Sequence, residues 1–265
     1  MSESKPKPMA RYPLAYKNEK FLDSDDSRTL RILAEYLEPL QRFEHQKVPG
    51  TVVFFGSARL AENGPLAQYY ADARELARLY TAWTNALPPS APRVLICSGG
   101  GNGIMEAANR GAADAGGRTI GLNISLPEEQ SPNPYITPDL SFEFHYFFMR
   151  KLWFAHMARA VVVFPGGFGT IDEMSEILTL SQTKKLEGKM TVILYGKKYW
   201  EEILNFDALV KHGMIGADDL KLFSFASTPA EALDTLKRGI APELQAAAPA
   251  FAKTRTSYLY QRSGD

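Results

Sequence analysis

The chain has a single cysteine, Cys97, so it can close no internal disulfide. A lone thiol suits a reducing compartment. It also has no excess of charge of either sign: Lys and Arg number 30, as do Asp and Glu. The broad basic face that grips nucleic acid is therefore not expected, and any anion site must be local and built largely from backbone amides. No apolar run approaches the ~18–20 residues needed to span a bilayer, and the opening Met1 to Pro8 lacks the apolar core of a signal peptide. The expectation is a cytoplasmic protein with no membrane and no nucleic-acid partner. The four histidines, His45, His145, His156 and His212, are scattered without ligand spacing, so no metal is expected either. Cys97, inside an apolar run, reads as a small core residue.

What is present is an ordinary globular composition, 45% hydrophobic and 23% charged over 265 residues, enough for one large core with accessories. Residues 1–20 are Lys/Pro-rich and read as a loose tail. From Ser24 a helix is predicted, capped by Ser27, with Leu30, Ile32, Leu33, Tyr36, Leu37, Leu40 and Phe43 near helical spacing. Short apolar runs then alternate with amphipathic stretches. Strands are predicted over 52–55, 94–97, 119–124, 142–147, 160–164 and 190–195, and helices over 65–83, 102–115, 149–157 and 170–185. Residues 199–236 read as further helices. Val/Ile-rich runs without polar alternation are strands buried on both faces, and helices between them imply parallel pairing. The fold expected is α/β: a Rossmann-like, doubly wound parallel sheet in three α/β/α layers, with an N-terminal helical extension over 1–46, the main domain over 47–240 and an Ala/Pro-rich tail over 241–265.

In such a sheet ligands bind beyond the carboxyl ends of the strands, and three of those ends carry conspicuous loops. The first is Gly56-Ser57-Ala58-Arg59, where glycine admits a close approach and serine can donate to an oxyanion; a tight turn explains it equally well. The second is Ser98-Gly99-Gly100-Gly101-Asn102-Gly103. Its glycines lead into a helix start, where unpaired N–H groups and the helix dipole favour an anion. Close helix–strand packing is the plainer reading, but it needs fewer glycines. The spacing falls short of a dinucleotide fingerprint, and no acidic residue ends the next strand to hold an adenosine ribose, which disfavours a nicotinamide cofactor. The third loop is Pro165-Gly166-Gly167-Phe168-Gly169-Thr170-Ile171-Asp172-Glu173. Thr170 can cap the helix or donate to phosphate. Thr170 and Glu173 have capping-box spacing, so spacing alone divides Glu173 evenly between a cap and a catalytic carboxylate. Finally, Arg150 and Lys151 follow Met149 at a predicted helix start, where cations are unfavourable. That implies a nearby anion, either phosphate or Glu173.

The stretches SGGGNGIMEAANRGA (Ser98 to Ala112), MRK (Met149 to Lys151) and PGGFGTIDE (Pro165 to Glu173), taken in this order, resemble the signature set of the Lonely Guy family, cytokinin riboside 5′-monophosphate phosphoribohydrolases long labelled lysine decarboxylases. The resemblance runs from about Thr51 to Gly196 and is to the longer bacterial members. It implies that main domain 47–240 is a nucleotide-binding catalytic domain, that Arg150 and Glu173 are catalytic, and that Gly166, Gly167, Phe168, Gly169 and Thr170 hold phosphate and ribose. It further implies that Met149, Lys151 and Thr179 line the pocket with Gly56, Ser57, Gly99, Gly100 and Gly101. Phe168 stands where plant members usually carry tyrosine, and Asp172 where glutamate is frequent. The implied reaction is hydrolysis of the N-glycosidic bond of adenosine 5′-monophosphate or its N6-substituted forms, without cofactor, in a homodimer or larger homo-oligomer. The alternative is a non-catalytic carrier of a phosphorylated ligand, of the molybdenum-cofactor carrier type, which would not need an Arg150/Glu173 pair. A pyridoxal-phosphate decarboxylase is disfavoured because Lys184, Lys185 and Lys189 read as a solvated helix end.

Overall fold

A computed structural model describes residues 12–126, 131–186 and 190–245. The predicted N-terminal tail, the Pro-rich loop after Leu126, Lys189 and the predicted C-terminal tail fall wholly or partly outside them. Seven strands form one sheet: β1 (Thr51–Phe55), β2 (Leu95–Ser98), β3 (Thr119–Ile124), β4 (Ser141–Phe144), β5 (Ala158–Val163), β6 (Thr191–Tyr195) and β7 (Ser224–Ala226). Their order is β4-β3-β2-β1-β5-β6-β7, and every neighbouring pair is parallel. The chain steps outward from β1 to β4, then returns to lay β5 against the other side of β1. The β1/β5 seam is thus the point where the winding reverses, and there the loops after neighbouring strands diverge and leave a crevice.

Alternation along each strand divides the core into two layers. Val53, Phe55, Cys97, Leu122, Val161, Val163 and Leu194 face one side, covered by α2 (Arg28–His45), α5 (Phe147–Met157) and α6 (Phe168–Gln182). Val52, Phe54, Ile96, Ala160, Val162 and Ile193 face the other, covered by α3 (Ala67–Asn85), α4 (Ile104–Asp114) and α9 (Pro229–Gln245). With both faces covered, β1 and β5 are buried at every position, which is why their sequences show no polar alternation. The remaining helices are α1 (Glu19–Leu22), α7 (Lys197–Ile203) and α8 (Phe206–Lys211). Among the described residues no helix is long and apolar enough to cross a membrane.

The N-terminal extension is packed into this body. Pro39 lies inside α2 and cannot donate to the Glu35 carbonyl one turn earlier; the indole Nε1 of Trp153 on α5 donates to that oxygen instead, at 2.9 Å. Phe43 completes the contact against Phe142 and Trp153. Ser27 stands at the N-cap of α2 but makes no side-chain capping bond: its hydroxyl donates back to the Leu22 and Ser24 carbonyls.

Three sequence expectations are corrected. The run over 142–147 is strand only to Phe144, because its last residue opens α5. The region 199–236 contains β7 between helices, a three-residue edge strand paired with β6. And α6 starts at Phe168, two residues before Thr170.

Candidate functional site

The three loops follow β2, β1 and β5, which are adjacent in the sheet, so they meet at the seam. The backbone of Ser57 joins them: its N–H donates to the Pro165 carbonyl at 3.1 Å, and its carbonyl accepts from Ile104 N–H at 3.2 Å. Its hydroxyl accepts from the Arg59 amide. The approach is close enough to require glycine. A Cβ on Gly56 would fall 2.6–2.8 Å from Ile104, and one on Gly103, at φ 65°, 2.4 Å from the Ser57 oxygen.

The second loop rests on a buried polar network. Gly100, at φ 76°, has no room for a side chain above Asn123. Its N–H donates to the Ser98 hydroxyl, which donates to Asn109 Oδ1 at 2.6 Å. Asn109 Nδ2 donates in turn to Thr119 Oγ1 and the Ile120 carbonyl. Asn133, 4% exposed, donates through Nδ2 to the carbonyls of Gly100 and Gly101 and to Asn109 Oδ1. One consequence limits anion binding: the Gly100 N–H is already used inside the protein, whereas Gly99 and Gly101 flank the seam.

Arg150, on α5, and Glu173, on α6, meet over this floor. Arg150 Nη2 donates to Glu173 Oε1 at 3.0 Å, and the two side chains are only 12% and 14% exposed. The guanidinium lies over the rings of Phe147 and Phe154, 5.4 and 5.6 Å from their centroids. A Cβ on Gly99 would sit 3.7 Å from Arg150 Nη1, so this side chain spans the second loop and α6. Burial pushes the Glu173 carboxyl up to about 7, against the pull of the Arg150 charge. Burial likewise lowers Arg150, opposed by Glu173 and Asp172, yet a guanidinium stays protonated. The capping-box reading of Thr170 and Glu173 is not realised: the N-cap of α6 is Gly167, with no side-chain cap bond, and the Glu173 carboxylate meets Arg150 instead.

The other residues singled out in the sequence divide. Thr170 is buried, its hydroxyl against the Cα of Gly166, while Gly167 and Gly169 face open space. Phe168 is 95% exposed beside them. Lys151 pairs with Asp172 at 2.9 Å and Glu176 at 3.1 Å, so its charge is directed to α6. Met149 lies in the core, and Thr179 is exposed with its carbonyl serving the end of the helix. Asn109, inside the Ser98 to Ala112 stretch but not singled out there, and residues with no signature in the sequence complete the arrangement: Asn123 and Asn133 under the second loop, Tyr199, whose hydroxyl donates to the Gly166 carbonyl at 2.9 Å, and Glu35. The carboxylate of Glu35 accepts from the His145 and Tyr146 amides at the start of α5 and places negative charge at a helix end that carries Arg150 and Lys151.

Residues 105–236 match the family model described as possible lysine decarboxylase. A probable cytokinin riboside 5′-monophosphate phosphoribohydrolase of Oryza sativa subsp. japonica is 31% identical over 150 residues, 56% of this chain and 64% of that one. The cytokinin riboside 5′-monophosphate phosphoribohydrolase of Rhodococcoides fascians is 30% identical over 115 residues, 42% of this chain and 56% of that one. The chain therefore spans less than two thirds of the length of these relatives. An X-ray structure from a structural genomics consortium shares the fold, with a TM-score of 0.52 and 23% identity, over 71% of this chain and 99% of that one.

Proposed function

We propose, from the premise that this chain belongs to the Lonely Guy family, that it is a phosphoribohydrolase acting on adenosine 5′-monophosphate or an N6-substituted form of it. The products are the free base and ribose 5-phosphate. One observation carries the reading: a buried carboxylate and a buried guanidinium, 3.0 Å apart, at the point where the sheet reverses. A carrier that only holds a phosphorylated ligand would not need this Arg150–Glu173 pair.

Cleavage of an N-glycosidic bond develops positive charge on the ribose and negative charge on the departing base. Glu173 faces the sugar. As carboxylate it stabilises the charge at C1′ and accepts the proton of the attacking water, whose oxygen forms the new bond to C1′. The C1′–N9 electron pair leaves with the base, which takes up a proton from solvent water as Glu173 returns its proton to solvent. Arg150, permanently charged, acts electrostatically on the nucleotide and its leaving base. The phosphate rests on glycine-loop amides and the start of α6. Its binding orients the ribose, so a nucleoside without phosphate reacts poorly.

The test incubates the protein with AMP, an isoprenoid adenosine monophosphate and adenosine, and measures free base and ribose 5-phosphate. Base is expected from the monophosphates and not from adenosine. Glu173→Gln, which keeps shape and loses charge, is expected to lower kcat about 10²–10⁴-fold, measured on protein whose folding is confirmed by circular dichroism. A chain that binds a monophosphate and releases no base returns the carrier reading to first place.

A further inference from the structure

The two glycine-rich loops that flank the seam are each held from outside by their carbonyl oxygens. Asn133 N–H donates to the Gly100 carbonyl at 2.8 Å, and Asn133 Nδ2 to the Gly100 and Gly101 carbonyls at 3.0 and 3.1 Å. Across the seam, the Tyr199 hydroxyl donates to the Gly166 carbonyl at 2.9 Å. A trans peptide is planar, so its C=O and the N–H that follows point in opposite directions, and the described residues contain no cis bond. Fixing those three oxygens therefore fixes the direction of three amides, Gly101, Asn102 and Gly167, away from Asn133 and Tyr199. Among the described residues none of the three donates a hydrogen bond, and Asn102 and Gly167 are exposed. By contrast the Gly100 amide, on the same loop, is bound to Ser98.

We infer that Asn133 and Tyr199 are positioning residues that orient the Gly100–Gly101, Gly101–Asn102 and Gly166–Gly167 peptides so that their N–H groups receive the phosphate of the substrate. Neither side chain touches the ligand. Each acts through a peptide plane, and glycine is the residue in which such a plane turns most easily when the bond is lost. This inference rests on the proposed function, since it assigns the donors of the same site.

The experiment measures binding of ribose 5-phosphate by calorimetry and the kinetics with AMP. Tyr199→Phe removes one hydroxyl and keeps the ring. It is expected to raise the Kd for ribose 5-phosphate and the KM for AMP about fivefold, the loss that one hydrogen bond of ordinary strength carries, while kcat changes less than KM. Asn133→Ala removes the side-chain donors and is expected to weaken binding further. Because it also strips Asn109 of a buried partner, its thermal midpoint is measured first, and Tyr199→Phe decides if it does not fold. A Tyr199→Phe protein that binds ribose 5-phosphate as wild type does, with KM unmoved, overturns the inference and leaves the hydrolase reading standing. A wild-type protein that binds no ribose 5-phosphate and releases no base overturns both.

Discussion

At Glu173 two forces oppose each other: burial favours the protonated carboxyl and Arg150 favours the charged one, and burial wins, lifting the group from its ordinary 4.5 to about 7. On the proposed role of Glu173 as the base, which must be deprotonated to act, kcat/KM is expected to fall about tenfold per pH unit below about 7. Measuring the pH–rate profile with AMP checks this. Arg150→Ala removes the main opposing pull, so the acid limb of the residual activity moves to higher pH; a limb that stays in place assigns the titration to another group. Stability follows the same linkage with its own sign. Folded Glu173 holds its proton to higher pH than the unfolded chain does, so its contribution is fully present below about 4.5 and lost as pH rises through about 7. Arg150, Glu173 and the glycines at strand ends were legible in the sequence because their chemistry is local: a turn, a helix start, a run of special residues. Asn133 and Tyr199 were not, because each meets its loop from 33 residues away and neither belongs to a pattern that spacing reveals.

Helix α5 shows what an element requires beyond its own residues. It carries Arg150 and Lys151 near its N-terminus, the wrong sign for that end of a helix dipole, and no side chain of its own caps it. Glu35 on α2 supplies the missing acceptor and the negative charge. Glu35→Ala is expected to destabilise the protein by about 1–2 kcal/mol, read by urea denaturation, and to lower activity by loosening the helix that holds Arg150. Glu35→Gln should recover most of the stability, since the amide oxygen still accepts. The strand pattern of the central sheet was readable because strands covered on both faces are continuous apolar runs. Edge strand β7 was not, since three residues establish no period, and the end of β4 was misassigned because the aromatic run that forms it continues into α5, where the same side chains serve a helix.

For the whole molecule, α2 packs into the main core and is expected to unfold with it. Phe43 is 3% exposed between Phe142 and Trp153, so Phe43→Ala is expected to cost about 3–5 kcal/mol. The loss should appear in global denaturation as a single transition; an early local transition confined to α2 would show instead that the extension melts alone. The sheet order carries a further consequence for the chain as it is synthesised. Strands β2, β3 and β4 emerge on one side of β1, and the partner on its other side, β5, is added only after α5. Until then the most buried strand of the finished protein is an open edge, with Val53 and Phe55 lacking their Val161 and Val163 neighbours and its backbone free to pair with another chain. Glu173 lies on α6, the helix that follows β5, so the Arg150–Glu173 ion pair and the central seam come into existence together. A nascent chain stalled before residue 158 is thus expected to expose the β1 edge that β5 covers in the folded protein and to aggregate more readily than the full chain.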